Sequence, residues 1–375
     1  MGTLFDYLSW RGDLSFEQDP LNEVDSLIFS LVSYIEFKGI VSEAHGGATV
    51  SLRAAANSFF ARHPDPRKIS MGLIVPKEII KLLRAVRECR RFRSVGMKGY
   101  VNRIDTEVQT QFSAVTFCLG TGETVVAYRG TDDTLVGWKE NFNMSFMDVV
   151  PAQAYAADYL NAAALHCTGQ IYVTGHSKGG NLSVYAAIHC RPEVRKRLAR
   201  VWCNDGPGFR TAWFQNPDYI DIKPYIRTLV PQSSLVGMLL EHDESYTVVK
   251  SRQVGLFQHD GLTWEVQGNA FLRVHDVTEE SKRTNRALKE WLQNLSPEQR
   301  EQFCDALFRL LSSDNAATLT DLMSFKNRWI LRSMRLDPQV RKTVLQTVQE
   351  LIKINTKTLL NDLAPNGKKN KDTTK

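Results

Sequence analysis

One stretch, Gly175-His176-Ser177-Lys178-Gly179-Gly180, constrains this chain more than any other. It follows the β-prone run Ile171-Tyr172-Val173-Thr174. It precedes Asn181-Leu182-Ser183-Val184-Tyr185-Ala186-Ala187, which reads as the opening turns of a helix. A G-x-S-x-G pattern held between strand and helix predicts a sharp turn with the serine at its apex. The glycines let the two elements approach closely, and the turn sets the next backbone N–H at a helix N-terminus, where it can meet a developing oxyanion. The same five letters also occur in plain turns. The flanking strand and helix are what make this occurrence specific.

The surrounding chain reads as alternating strands and helices. Apolar residues Leu21, Val24, Leu27, Ile28, Leu31, Val32 and Ile35 recur at helical spacing and predict a buried helix over 21–38. A second helix is expected over 76–92. Its apolar face carries Ile79, Ile80, Leu82, Leu83, Val86 and Cys89, and Arg84, Arg87, Arg90, Arg91 and Arg93 form a solvated remainder. Strands are expected over 111–117 and 123–129, with a Gly120-Thr121-Gly122 turn between them, then over 171–174, 201–203, 225–230, 246–250 and 262–266. This order implies an α/β fold with a mostly parallel sheet covered on both faces. The 375 residues, 43% of them apolar, suffice for one large core plus an appended unit. That unit is legible: no glycine falls between Gly268 and Gly367, and Ser296-Pro297-Glu298-Gln299 and Asp337-Pro338 mark helix starts. Phe303, Ala306, Leu307, Leu310 and Leu311 make one apolar stripe there. Val344, Val348, Leu351, Ile352 and Leu359 make another, and Trp291, Leu292 and Trp329 read as that region's own core. The division expected is a core over 1–275, a C-terminal helical region over 276–365 and a disordered lysine-rich tail over 366–375.

Composition narrows the function class. The net charge is +6, but Lys368, Lys369, Lys371 and Lys375 against Asp372 supply half of it, so the body is only mildly basic and argues against nucleic acid as a partner. Six cysteines stand without a C-x-x-C pair, which fits reduced thiols rather than a zinc or disulfide framework. No apolar run approaches the ~20 residues of a bilayer span. The opening residues lack a secretory pattern. A cytoplasmic protein without stable membrane insertion is expected, with peripheral contact to lipid left open.

A serine hydroxyl near neutral pH needs a base within hydrogen-bond reach and an acid to orient that base. In chains built around such a turn the order is Ser, then Asp or Glu, then His. His189 lies twelve residues down the same helix, about 18 Å away at ~1.5 Å rise per residue. His242 and His275 stand in charged surroundings. His259 falls in the turn-rich Gly255-Leu256-Phe257-Gln258-His259-Asp260-Gly261, late in the β-rich region, and is the candidate base. Asp205 ends the strand Val201-Trp202-Cys203-Asn204, on the same rim as Ser177, where chemistry collects in open α/β sheets. Glu241 and Asp243, in a charged turn, are the other carboxylates considered. The loop Tyr128-Arg129-Gly130-Thr131-Asp132-Asp133 leaves a strand and can offer the Thr131 N–H as a second oxyanion donor beside that of Lys178. Arg129 is expected to anchor this loop through carboxylates. Asp132 and Asp133, without further clustered ligands, read as solvated loop charges rather than a metal site.

Together these residues resemble the fungal-type, class 3 branch of the lipase-like α/β-hydrolases. That branch carries Arg-Gly-Thr at a strand end, here Arg129-Gly130-Thr131, a tryptophan shortly after, here Trp138, and a G-H-S-x-G-G turn. A closer resemblance, over most of 1–275, is to a bacterial family of lipase-like hydrolases of uncharacterised activity. It is carried by Asp6-Tyr7-Leu8, Arg11-Gly12-Asp13, Gly137-Trp138-Lys139-Glu140, Asp205-Gly206-Pro207-Gly208-Phe209, Val236-Gly237-Met238-Leu239 and Gln258-His259-Asp260. Two departures stand out. Class 3 lipases usually have leucine where this chain has Lys178, whose ammonium would alter the pocket. They also take their acid from a D-x-V pattern, whose counterpart here, Ser233-Ser234-Leu235-Val236, has no carboxylate.

The resemblance implies an α/β-hydrolase fold and a serine hydrolase of carboxylic esters, lipid esters included, with no cofactor or metal. Its triad would be Ser177, His259 and Asp205, with Thr131 and Lys178 as oxyanion donors. A Ser-His pair with no acid is the fallback. A thioesterase, acyltransferase or peptidase would use the same residues, and a non-catalytic binding or scaffold protein could be built on the same fold.

Overall fold

The computed structural model describes residues 2–65, 68–72, 74–312 and 316–324. The Asp337 helix start, the stripe from Val344 to Leu359, Trp329, the side chain of Trp291 and the lysine-rich tail lie outside the described residues.

Eight strands form one sheet whose spatial order follows the chain: β1 Val50–Ser51, β2 Gly96–Asp105, β3 Thr110–Cys118, β4 Thr124–Tyr128, β5 Ile171–His176, β6 Leu198–Asn204, β7 Ile226–Pro231 and β8 Tyr246–Val249. From β1 to β4 the pairing is antiparallel; short turns reverse the chain between β2, β3 and β4, while helices lie between β1 and β2. The expected turn between β3 and β4 forms, with Gly122 at φ +89°. From β4 to β8 it is parallel, and helices cover the crossovers up to β7. Every residue of β4 is buried, as a strand covered on both faces requires. Its Val125 and Ala127 meet the N-terminal helices through Leu27, Ile28 and Leu31. Its Val126 and Tyr128 face Ala156 and Leu160 of helix Pro151–Ala164 and Leu182 and Ala186 of helix Lys178–His189.

Several expectations shift for identifiable reasons. The first predicted helix spans Glu23–Val32, opened by Asn22 and a capping box with Asp25. The apolar spacing overran its end because Tyr34, Ile35 and Phe37 stay buried in turns. The second predicted helix breaks at Cys89, whose backbone is extended. That break turns Arg91 inward. Arg91 is not part of a solvated face: its guanidinium is fully buried, 2.5 Å from Asp25, and it also donates to the carbonyls of Asp19 and Pro20. β2 escaped the sequence reading because Lys98, Asn102, Arg103 and Asp105 dilute its alternation and a bulge interrupts it between Lys98 and Val101. Residues 262–266 give only the short strand Val266–Gln267, paired with Ala270–Phe271.

Helix Pro297–Leu311 forms behind the expected Ser296 capping box, and a further helix, Glu279–Gln293, precedes it behind a Thr278 cap. Phe303, Cys304, Leu307 and Phe308 bury against Leu135, Trp138 and Phe142 of helix Leu135–Asn143, which directly follows the candidate oxyanion loop. Beyond them, the Leu135 amide donates to the Ala317 carbonyl and the Leu319 amide to the Asp133 carbonyl, both at 2.9 Å. The C-terminal region thus straps the loop that starts after β4.

Candidate active site

β5 ends in the predicted turn. Ser177 sits at φ +59° and ψ −132°, a region that a residue with a side chain enters at a cost of roughly 1–3 kcal/mol. The turn is held from both sides: the Ser177 amide donates to the Asn204 carbonyl of β6 at 3.0 Å, and the Gly180 amide to the Ser177 carbonyl at 2.8 Å. Gly179 is required by close approach. A Cβ there would lie 2.1 Å from the carbonyl oxygen of Tyr128, at the end of β4. Ser177 remains half-buried. Lys178 opens the helix, and first-turn amides of a helix have no acceptor within it.

Asp205 is fully buried at the end of β6, at φ +49°. Its Oδ2 accepts from His259 Nδ1 at 2.6 Å. Its Oδ1 accepts from the Ser234 hydroxyl at 2.5 Å and from the Gly237 amide at 3.1 Å. Ser234 belongs to the stretch where class 3 lipases would carry their acid. Here that stretch holds a hydrogen-bond donor that orients a carboxylate from the neighbouring strand. His259 is about one-fifth exposed and ends the turn Gly255–His259. Its ring packs 4.6 Å, centre to centre, from the ring of His176, the residue before Ser177. The other carboxylates are engaged elsewhere: Asp243 with Lys223 at 2.6 Å, and Glu241 with Lys289 at 2.8 Å.

The loop after β4 is braced as expected of Arg129. Its guanidinium donates to Asp132 at 2.9 Å and to Asn102 at 3.0 Å. Asp132 also accepts from the Thr134 amide and hydroxyl, and Asp133 from the Thr320 hydroxyl at 2.5 Å. These two aspartates are therefore bonded, partly or fully buried parts of the loop, not solvated charges. No cluster of three metal-ligating side chains occurs among the described residues. Thr131 is buried, and its hydroxyl accepts from Asn141 at 2.7 Å.

The Lys178 side chain turns into the protein interior. It is 1% exposed and runs inward to Glu140 at 2.9 Å and to the Gln111 carbonyl at 2.6 Å. Glu140, fully buried, also accepts from the Thr110 hydroxyl and from the amides of Gln111 and Ala152. One carboxylate thereby joins the serine turn, the start of β3 and two helices. The sequence holds one signal for this pair, a lone lysine where a leucine is usual, but nothing in it links Lys178 to Glu140. A hollow of about 440 Å³ lies beside the loop after β4, lined in part by Tyr34, Phe59, Met71, Arg129 and Asp132. Neither Ser177 nor His259 lines it.

The sheet order, helices on both faces and a strained serine after a central parallel strand are an α/β-hydrolase fold. Residues 86–309, more than half of the chain, match the Mbeg1-like family model. The chain belongs to the Mbeg1-like family. The matched span contains β2 to β8, Ser177, Asp205 and His259, and it runs into helix Pro297–Leu311. No curated protein sequence matches this Mbeg1-like protein. Among solved structures it is similar to a crystal structure of M37 lipase, at 16% identity and a TM-score of 0.35, over 57% of this chain and 68% of that one. No helix of this Mbeg1-like protein among the described residues is long and apolar enough to cross a membrane.

Proposed function

We propose that this protein is a serine hydrolase of carboxylic esters, lipid esters among them, acting through Ser177, His259 and Asp205. The observation that carries this reading is the 2.6 Å hydrogen bond between buried Asp205 and His259 Nδ1, beside the strained serine turn. Asp205 holds the proton on Nδ1 and leaves Nε2 as the nitrogen available to a hydroxyl. Ser177 attacks the acyl carbon while His259 takes its proton, and the protonated imidazole then gives that proton to the leaving alcohol. Water resolves the acyl-enzyme by the same route in reverse. The amides of Thr131 and Lys178 receive the oxyanion, each donor contributing about 3 kcal/mol to lowering the barrier. This chemistry calls on no cofactor.

The test is covalent labelling with a fluorophosphonate probe. Labelling of the wild type, lost in Ser177→Ala, is the expected outcome. A folded wild-type protein that resists the probe would refute the reading. A panel of esters graded by acyl length then reports the substrate class.

A further inference from the structure

His176, which precedes the nucleophile candidate, and Tyr34, from the segment before the family-matched span, take no part in the chemistry above. Both are buried, and both touch parts of the site that do. His176 Nε2 lies 2.7 Å from the backbone carbonyl oxygen of His259. Its Nδ1 lies 3.3 Å from the Tyr34 hydroxyl. The Tyr34 oxygen in turn stands hard against Gly130, in the candidate oxyanion loop next to Thr131. A Cβ on Gly130 would stand 2.1 Å from that oxygen, 2.6 Å from the His176 carbonyl and 3.0 Å from Ser177 Cβ, so the loop, the tyrosine and the serine turn meet at one point.

The proton positions along this line follow from valence. Burial and the neighbouring His259 depress the basicity of His176 to about 3, so its ring is neutral and carries one proton. The His259 carbonyl can only accept, which puts that proton on Nε2. Nδ1 is then an acceptor, and the Tyr34 hydroxyl must be its donor. Each group in the line has one role, and none can be reversed without leaving a buried group unpaired.

We propose that Tyr34 and His176 are positioning residues: a hydrogen-bonded line from the His259 carbonyl through His176 to Tyr34, with the Tyr34 hydroxyl packed against Gly130, locks the oxyanion loop and the backbone of His259 to the serine turn. The proposal rests on the hydrolase reading for its catalytic consequence. Its geometry can be tested without it. Neither residue touches substrate. They fix where the Thr131 amide and the His259 ring stand relative to Ser177, and a displacement of about 1 Å at such groups is enough to cost of order a hundredfold in rate.

Tyr34→Phe keeps the ring and deletes the hydroxyl. The expected result is a 10- to 100-fold fall in kcat on an ester substrate, KM within twofold, and a parallel fall in the fluorophosphonate labelling rate, with little change in Tm. His176→Gln retains a donor for the His259 carbonyl and is expected to keep more activity than His176→Leu. A Tyr34→Phe variant with wild-type kcat and labelling rate overturns the proposal, as does a loss that appears only in KM or only in Tm. If the wild type is inert to probe and esters, the hydrolase reading fails, and the line is judged by proton NMR alone. The hydrogen-bonded Nδ1 proton of His259 should then shift or broaden in Tyr34→Phe, and an unchanged resonance overturns the line.

Discussion

Asp205 Oδ2 stands 2.6 Å from His259 Nδ1, across a sequence separation of 54 residues. The carboxylate is fully buried at a strand end, and its second oxygen is occupied by Ser234 and Gly237. Asp205→Asn should therefore keep the fold of the site and lose the tautomer control. If the proposed triad operates, its expected effect is a fall in kcat of about 10⁴-fold, the size of that change in serine triads. Ser234→Ala removes one of two donors to Oδ1 and should cost far less, about tenfold. Steady-state ester hydrolysis of the two variants side by side checks the order. Equal losses would show that Asp205 acts only as a structural acceptor.

Gly130 gives a steric test of the oxyanion loop. Gly130→Ala places a methyl group 2.6 Å from the His176 carbonyl and 2.1 Å from the Tyr34 hydroxyl. The loop must move, carrying the Thr131 amide with it. Loss of one oxyanion donor costs about 100- to 1000-fold in kcat, and a fall in that range is expected in single-turnover acylation. Adding Tyr34→Phe should not restore the rate, because the clash with the backbone carbonyl persists.

The Lys178–Glu140 pair predicts a stability effect. Both side chains are buried, at 1% and 0% exposure, and removing one partner leaves the other charge uncompensated. Lys178→Met should cost about 3–5 kcal/mol of unfolding free energy. The double variant Lys178→Met/Glu140→Gln removes the orphaned charge while keeping an acceptor. It should show a coupling of about 0.5–3 kcal/mol in urea titrations. Strict additivity of the two single effects would refute the pair.

Asp260 predicts a pH dependence. Burial raises its carboxyl from 3.8 to about 6, against the opposing pull of the Leu262 amide and His259. Between those values the native state binds a proton that the unfolded chain has released. Stability contributed by this group is thus highest below pH 3.8, falls as pH rises through 6, and stays lower above it. Asp260→Asn keeps the acceptor for the Leu262 amide, 3.0 Å away, and removes the charge. It should raise Tm at pH 8 and leave it nearly unchanged at pH 3.5. The same gain at both pH values would contradict the linkage.

The sequence alone carried the strand–turn–helix at Ser177, the strand end at Asp205, the loop at Arg129-Gly130-Thr131 and the Ser296 helix start. All of these are local: they follow from turn chemistry, capping and period-two patterning within a dozen residues. Strand-end position already favoured Asp205 over Glu241 and Asp243, but only the tertiary structure decided that it meets His259, because that contact needs its burial and the approach of a turn 54 residues away. It also decided where the long charged side chains go. Arg91 and Lys178 were legible as cations, yet their burial depends on Asp25 and Glu140, supplied by other elements. Tyr34 carried no signal beyond an apolar ring, since its hydroxyl gains partners only where the loop after β4 and the serine turn converge on it.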